Sequence, residues 1–180
     1  MKRELGQAKS LKISVVMPVY NHRPFVLKAL SSLLIQNFDL SECELIISDD
    51  ASSDGSYELI LESEQWRELR DKFYSVCIVR HSSNLGLIGN FDYLFSRAVG
   101  RVVVPFAGDD WLRSNTLSSL WALIGSIDIG MGFTNGYYSY ENGKLEAMYS
   151  ERLQSGAWCG EHVRPDCVKG YTKSLYDIVG

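Results

Sequence analysis

The sequence predicts an α/β protein of three layers, α/β/α, built on a mostly parallel central sheet with a C-terminal β-hairpin. Three observations predict it. Short β-branched runs alternate with stretches of helical period in the order βαβαβαβ, which implies right-handed crossovers and helices on both faces of the sheet. Three of the strands run straight into polar loops, Tyr20-Asn21, Asp49-Asp50 and Asp109-Asp110. The 180 residues are 46% hydrophobic and 22% charged, the balance of a soluble domain with a substantial core.

Residues 1–11 form a largely polar lead. The first strand is Lys12–Met17, apolar and β-branched, and Pro18 is expected to stop it before the loop Val19–His22. A helix follows from about Pro24 to Gln36. Pro24 suits its first turn, and Phe25, Val26, Ala29, Leu30, Leu33 and Leu34 recur as its inner face. The second strand, Glu44–Ser48, opens into Asp49–Ser56, a loop of turn-forming and helix-capping residues. A second helix spans about Ser56–Glu64 and reaches Leu69 after a break near Trp66. The third strand is Tyr74–Val79.

The polar loop Arg80–Gly86 leads to a helix over about Ile88–Val99, with Phe91, Leu94, Phe95 and Ala98 as its buried stripe. Gly100 stands where a C-cap glycine belongs. Arg101–Leu112, RVVVPFAGDDWL, follows. Its run Val102, Val103, Val104 and Phe106 is that of an inner strand covered on both faces, and it ends in Asp109-Asp110. A helix over Ser114–Ile124 comes next, then a strand over Asp128–Thr134. Extended Gly136–Tyr140, the turn Glu141-Asn142-Gly143-Lys144 and a returning strand Leu145–Tyr149 form the hairpin, because Asn-Gly accepts positive φ readily.

The acid-bearing loops should converge on one rim, since ligands of open α/β sheets bind at the carboxyl ends of strands. Asn84, after the third strand, joins them. Two adjacent carboxylates can hold a hard divalent cation, and the cation a diphosphate. Few basic residues lie near these loops in sequence, so a metal is the expected source of positive charge. Asp49 or Asp50 could accept an N–H from a pyrimidine, Asp109 could bond ribose or metal, and Asp110 could ligate the metal. The plainer reading of Asp109 or Asp110 is a cap on the following helix.

Other phosphate devices are absent: there is no G-x-x-x-x-G-K-[ST] loop and no G-x-G-x-x-G after the first strand. Gly86-Leu87-Ile88-Gly89 is too short a glycine pattern to carry weight. A phosphorylated receiver would want its acid pair after the first strand, where Pro18-Val19-Tyr20-Asn21 stands. A net charge of -4 argues against nucleic acid as a partner. No apolar run is long enough to span a membrane, and no signal-peptide pattern opens the chain.

The four cysteines show no disulfide framework; Cys43 and Cys77 are expected to be small buried hydrophobes. A reducing, cytoplasmic setting follows from that usage. Cys159, His162 and Cys167 supply too few ligands at unusual spacing for a zinc site.

The segments ISVVMPVYN (13–21), IISDDASSDGS (46–56), NLGLIGNFDYLFSRAVGRVVVPFAGDDWL (84–112) and FTNGYYSYENGK (133–144) together resemble the family 2 glycosyltransferases, in that family's order and spacing. The resemblance implies the GT-A fold, nucleotide-diphospho-sugar transferase-like, over residues 12–150. It implies transfer of a sugar from a UDP- or dTDP-linked donor to a glycan or lipid-linked acceptor, with inversion and with Mg²⁺ or Mn²⁺. Carried over by residue, Pro18, Tyr20 and Asn21 would frame the nucleoside, and Asp49, or else Asp50, would contact the base. Asn84 would lie beside the nucleotide, and Asp109 and Asp110 would bind ribose and metal.

Ala107 stands where the family's acidic motif often opens with a further aspartate. Family members typically continue past this length, so residues 151–180 are expected to be the incomplete start of the acceptor-side region. No general base is assigned: Glu151, Glu161, Asp166 and Asp177 follow the hairpin without a recognisable motif. The rival reading is a catalytically incomplete module that binds nucleotide sugar or a partner protein. A nucleotidyltransferase would want a glycine-rich basic loop at Pro18–Arg23. Homo-oligomerisation, and peripheral association with the inner membrane face through the acceptor, stay open.

Overall fold

This computed structural model describes residues 10–124 and the short strands Tyr137–Ser139 and Leu145–Ala147. Contacts divide the chain into two units, Met1–Trp121 and Ala122–Gly180.

In the first unit, strands β1 (Ile13–Val19), β2 (Cys43–Asp49), β3 (Ser75–Arg80) and β4 (Val102–Pro105) form one parallel sheet in the order β3-β2-β1-β4. Every residue of β1 and β2 is buried, as apolar strands with layers on both sides should be. Helices α1 (Val26–Leu34), α2 (Ser56–Glu62) and α3 (Glu64–Lys72) pack on one another, and α4 (Gly86–Arg97) packs on β1 and β2. The crossovers β1→β2 and β2→β3 run one way across the sheet and β3→β4 runs back. Right-handed connections therefore put α4 on the face opposite the other three. Its apolar stripe is the expected one: Phe91, Leu94, Phe95 and Ala98 close over Val16, Ile46 and Val103. Helix α5 (Thr116–Ile124) follows β4.

Several local expectations are corrected. β1 does not stop at Pro18 but runs to Val19, with Pro18 in register with Ser48. The Pro18 carbonyl accepts from Gly108 N (3.0 Å), so the proline nitrogen faces the β4 side of the strand, where β4 has already ended at Pro105. The ladder with β2, on the other side of the strand, needs no N–H from Pro18 and continues to Val19. Phe25 is not on the inner face of α1. It precedes the first helical turn, its side chain falls outside the helical stripe, and it is exposed. The break in the second helix falls at Ser63, whose hydroxyl accepts from Trp66 N (3.1 Å) and starts α3.

Gly100 is not a helix C-cap, because α4 already ends at Arg97. The N–H groups of Val99 and Gly100 are taken by the Glu44 carboxylate (2.7 Å) and the Ser14 hydroxyl (2.7 Å), and that hydroxyl donates in turn to Glu44. A Cβ on Gly100 would stand 2.5 Å from Ser14 N, so glycine is required by close approach to β1. Cys43 is buried but Cys77 is exposed, because β3 has a neighbour on one side only among the described residues. β4 likewise pairs only with β1 among them. Val102, Val104 and Phe106 are nonetheless buried.

In the second unit, β5 (Tyr137–Ser139) and β6 (Leu145–Ala147) pair antiparallel, as the hairpin requires. Its turn at Asn142-Gly143, the strand expected at 128–134, and residues 151–180 lie outside the described residues. So do Cys159, His162, Cys167 and the carboxylates Glu151, Glu161, Asp166 and Asp177.

Candidate active site

The sheet is built outward from β1 to β3 on one side, and then the chain returns to lay β4 on the other. The crevice between the carboxyl ends of β1 and β4 is therefore the topological switch point, where open α/β sheets take their ligands.

One wall is the end of β4. Phe106 N donates to Val16 O (2.9 Å) and Gly108 N to Pro18 O (3.0 Å), so the chain follows β1 to the rim before it turns. Asp110 N closes that turn on Ala107 O (3.1 Å) and sets Asp109 and Asp110 side by side, both exposed. Desolvation, and then the like charge of Asp109, hold the Asp110 carboxyl above the ordinary carboxylate value. Neither acid caps a helix, since α5 begins only at Thr116. Helix α1 fixes the chain beyond them. Ser32 Oγ accepts from Leu112 N (3.0 Å), and the Gln36 amide donates to Arg113 O (2.7 Å) and accepts from Leu117 N (3.1 Å). Lys28 Nζ lies 3.6 Å over the Trp111 ring.

The other wall is the loop after β1. Pro18 is buried and Tyr20 is 47% exposed. Asn21 adopts φ 55°, a left-handed geometry that asparagine tolerates. Its N–H donates to Ser52 Oγ (2.9 Å) and its Oδ1 accepts from Ser53 N (2.9 Å), so it staples the β1 loop to the β2 loop. Arg23 repeats the link, donating to Asp54 and to Gly55 O.

The end of β2 carries two buried carboxylates. Asp49 is fully buried: Oδ1 accepts from Ser52 N (3.1 Å) and stands 3.5 Å from Arg80 Nε, while Oδ2 has no hydrogen-bond partner. Asp50 Oδ1 accepts from Leu85 N (2.7 Å). Asn84 is exposed, and its Oδ1 accepts from Gly86 N (2.7 Å) at the start of α4. Ser48, one residue before Asp49, hydrogen-bonds His81 Nε2 (2.9 Å), and its carbonyl accepts from Asn90 (3.1 Å).

The rim thus brings together Pro18, Tyr20, Asn21, Asp49, Asp50, Asp109 and Asp110, with Asn84 at its outer edge. It also holds residues the sequence reading missed: His22, Arg23, Ser52, Arg80 and His81. The expectation of few nearby basic groups is corrected. Arg23 and Arg80 are there, but both are engaged: the Arg23 guanidinium donates to the carbonyls of Asp54 and Gly55, and Arg80 bonds Glu58 (2.6 Å) and Ser52 O (2.8 Å) besides facing Asp49. The signal that could have found them is a cation at the edge of each polar loop, Arg23 after Val19–His22 and Arg80 at the start of Arg80–Gly86.

As a donor set, two adjacent carboxylates on an exposed turn fit a hard cation such as Mg²⁺ or Mn²⁺, which takes one or two carboxylates together with phosphate oxygens and waters. No group of three or more His, Cys, Asp or Glu among the described residues could hold a metal. No helix among the described residues is long and apolar enough to cross a membrane.

Comparison with known proteins agrees with this fold. The sequence model of glycosyl transferase family 2 matches residues 14–177. The chain is 29% identical, over 83% of its length and 48% of the relative's, to an uncharacterized glycosyltransferase of Nostoc sp.. It is 33% identical, over 61% of its length and 33% of the relative's, to the GalNAc(5)-diNAcBac-PP-undecaprenol beta-1,3-glucosyltransferase of Campylobacter jejuni. Among solved structures, S. aureus TarS 1–349 in complex with UDP-GlcNAc superposes with a TM-score of 0.55 at 26% identity, over 63% of this chain and 31% of that one. The chain thus spans about half or less of the length of these relatives.

Proposed function

The chain belongs to glycosyl transferase family 2, and on that premise we propose that it binds a UDP- or dTDP-linked sugar in the β1–β4 crevice and serves transfer of that sugar, with inversion, to a glycan or lipid-linked acceptor. The observation that carries this reading is the pairing, at one switch point, of an exposed Asp109-Asp110 turn with a buried Asp49 that keeps one oxygen unpartnered.

Each residue has a role in that reading. Asp49, held by Arg80 and Ser52, is buried, and its unpartnered oxygen meets a base N–H once the loop over it moves aside on binding. A carboxylate can only accept, which suits the N3–H of uracil or thymine. Asp50 braces the start of α4 through Leu85 and is the alternative base contact. Pro18 and Tyr20 frame the nucleoside, and Asn21 keeps the two loops in register. Asn84 lies beside the nucleotide at the mouth. Asp109 takes ribose hydroxyls or metal, and Asp110 takes metal. A bound Mg²⁺ or Mn²⁺ would neutralise charge on the departing diphosphate.

An inverting transfer also needs a base within hydrogen-bond reach of the acceptor hydroxyl. That group is proposed to lie outside residues 10–124, so the described domain is the donor-binding half. The relatives' names, which include a PP-undecaprenol-linked glycan and poly(ribitol-phosphate), support a role in cell-surface polysaccharide assembly; the cytoplasmic face of the membrane is proposed as its place.

Binding of UDP-glucose, UDP-N-acetylglucosamine and dTDP-sugars, with and without Mn²⁺, tests the reading. Metal-strengthened binding of one donor is the expected result. Binding of none would overturn it.

A further inference from the structure

We infer that His22 is a positioning residue that holds Asp109 at the mouth of the crevice; this rests on the donor-site reading above. Four observations carry it. His22 belongs to the β1 loop, and its carbonyl starts α1 by accepting from Phe25 N and Val26 N, both at 2.9 Å, so its backbone is fixed. Its ring reaches across the switch point to β4: a Cβ on Gly108 would stand 2.8 Å from His22 Nδ1 and 3.0 Å from Val19 Cγ2. Glycine at position 108 therefore leaves the space the imidazole occupies. Nδ1 is buried and has no hydrogen-bond partner. Nε2 faces Asp109 Oδ1 at 3.8 Å.

The two nitrogens explain each other. A buried polar atom without a partner costs stability, so Nδ1 is not there for the fold. A phenyl ring would fill the same space at no such cost. What an imidazole adds is Nε2, aimed at the carboxylate. At 3.8 Å the pair is too long for a hydrogen bond. Asp109 is on an exposed turn, and one side-chain rotation closes the gap. Groups that orient a metal-binding carboxylate characteristically alter metal affinity by about ten- to a hundredfold when removed. His22 thereby ties the β1 loop, which frames the nucleoside, to the acidic turn, which holds the diphosphate's cation.

The test uses the full 180-residue chain with UDP, dTDP and MnCl₂ as probes. Nucleotide affinity is measured by calorimetry with and without Mn²⁺, and Mn²⁺ affinity by electron paramagnetic resonance at saturating nucleotide. His22→Phe should keep the thermal midpoint and the metal-free nucleotide affinity, and should weaken Mn²⁺ binding about tenfold or more. His22→Gln, which can place an N–H near the Nε2 position, should recover a substantial part of it. Wild-type Mn²⁺ affinity in His22→Phe would overturn the inference and leave the donor site standing. An equal loss in His22→Gln and His22→Phe, with a lowered thermal midpoint in both, would also overturn it, because it would make His22 a packing residue. Failure of the wild-type chain to bind either nucleotide would overturn the donor-site reading and this inference with it.

Discussion

Asp49 Oδ1 stands 3.5 Å from Arg80 Nε, and this is how a carboxylate with no exposed surface is kept at the end of a buried strand. Arg80 is itself held by Glu58, by Ser52 O and by the Tyr57 ring, 5.1 Å from its guanidinium carbon. Removing one partner of such a pair leaves a buried charge uncompensated. Arg80 is partly exposed and water can replace some of its effect, so Arg80→Ala should cost about 2 kcal/mol, below the range for a fully buried pair. Urea denaturation measures this. Asp49→Asn on top of Arg80→Ala should recover part of the loss, and strict additivity of the two changes would rule out the coupling.

Gly100→Ala should destabilise by about 2 kcal/mol, as overpacking does when the obstacle cannot move. The new Cβ would meet backbone, Ser14 N at 2.5 Å and the Ile13 carbonyl carbon at 2.6 Å. An unchanged urea midpoint would show that β1 and the end of α4 shift freely.

Asp54 gives a pH dependence. Burial opposes its ionisation, but hydrogen bonds from Ser56 Oγ (2.5 Å), Arg23 N (2.9 Å) and Ser56 N (2.9 Å) outweigh it and hold the carboxyl below its ordinary value of 3.8. A lowered folded-state pKa means that the unfolded chain binds the proton more readily. The contribution is present above 3.8 and is lost as pH falls through the lower folded value. Asp54→Asn should therefore lower the thermal midpoint at neutral pH and flatten its fall below pH 4. Parallel acid limbs in the two proteins would contradict this.

The two described cysteines should differ sharply toward alkylation. Burial, and then the charges of Glu42 and Asp39, push the Cys43 thiol up to about 12, whereas Cys77 is exposed on β3. Thiolate is the reactive form. Iodoacetamide at pH 8 should modify Cys77 within minutes and spare Cys43 until the protein unfolds, as peptide mass mapping would show. Equal labelling would mean that β2 opens readily.

Much of this architecture is legible in the sequence because its causes are local. The apolar runs of β1 and β2, the α4 stripe and the polar loops at three strand ends all announce themselves by period or by residue type. What was not legible depends on partners far along the chain. Pro18 continues a strand because the ladder with β2 lies on the side its nitrogen does not face. Gly100 is glycine because β1 passes under it. Cys77 is exposed because β3 has one neighbour only among the described residues. His22 and Arg80 look like ordinary loop residues until the fold sets them against Asp109 and Asp49, and Asn21 proves to be a staple between loops as well as a member of the rim.

The most direct test of the central claim is calorimetric binding of UDP and UDP-sugars to the wild type and to Asp110→Asn, each with Mn²⁺ and with excess chelator. Asp110→Asn removes the repulsion from Asp109 and should be no less stable than the wild type. The account predicts that the wild type binds more tightly with Mn²⁺, that Asp110→Asn loses that increment, and that both bind alike in chelator. Equal affinity of the two proteins under both conditions would show that the acidic turn takes no part in donor binding.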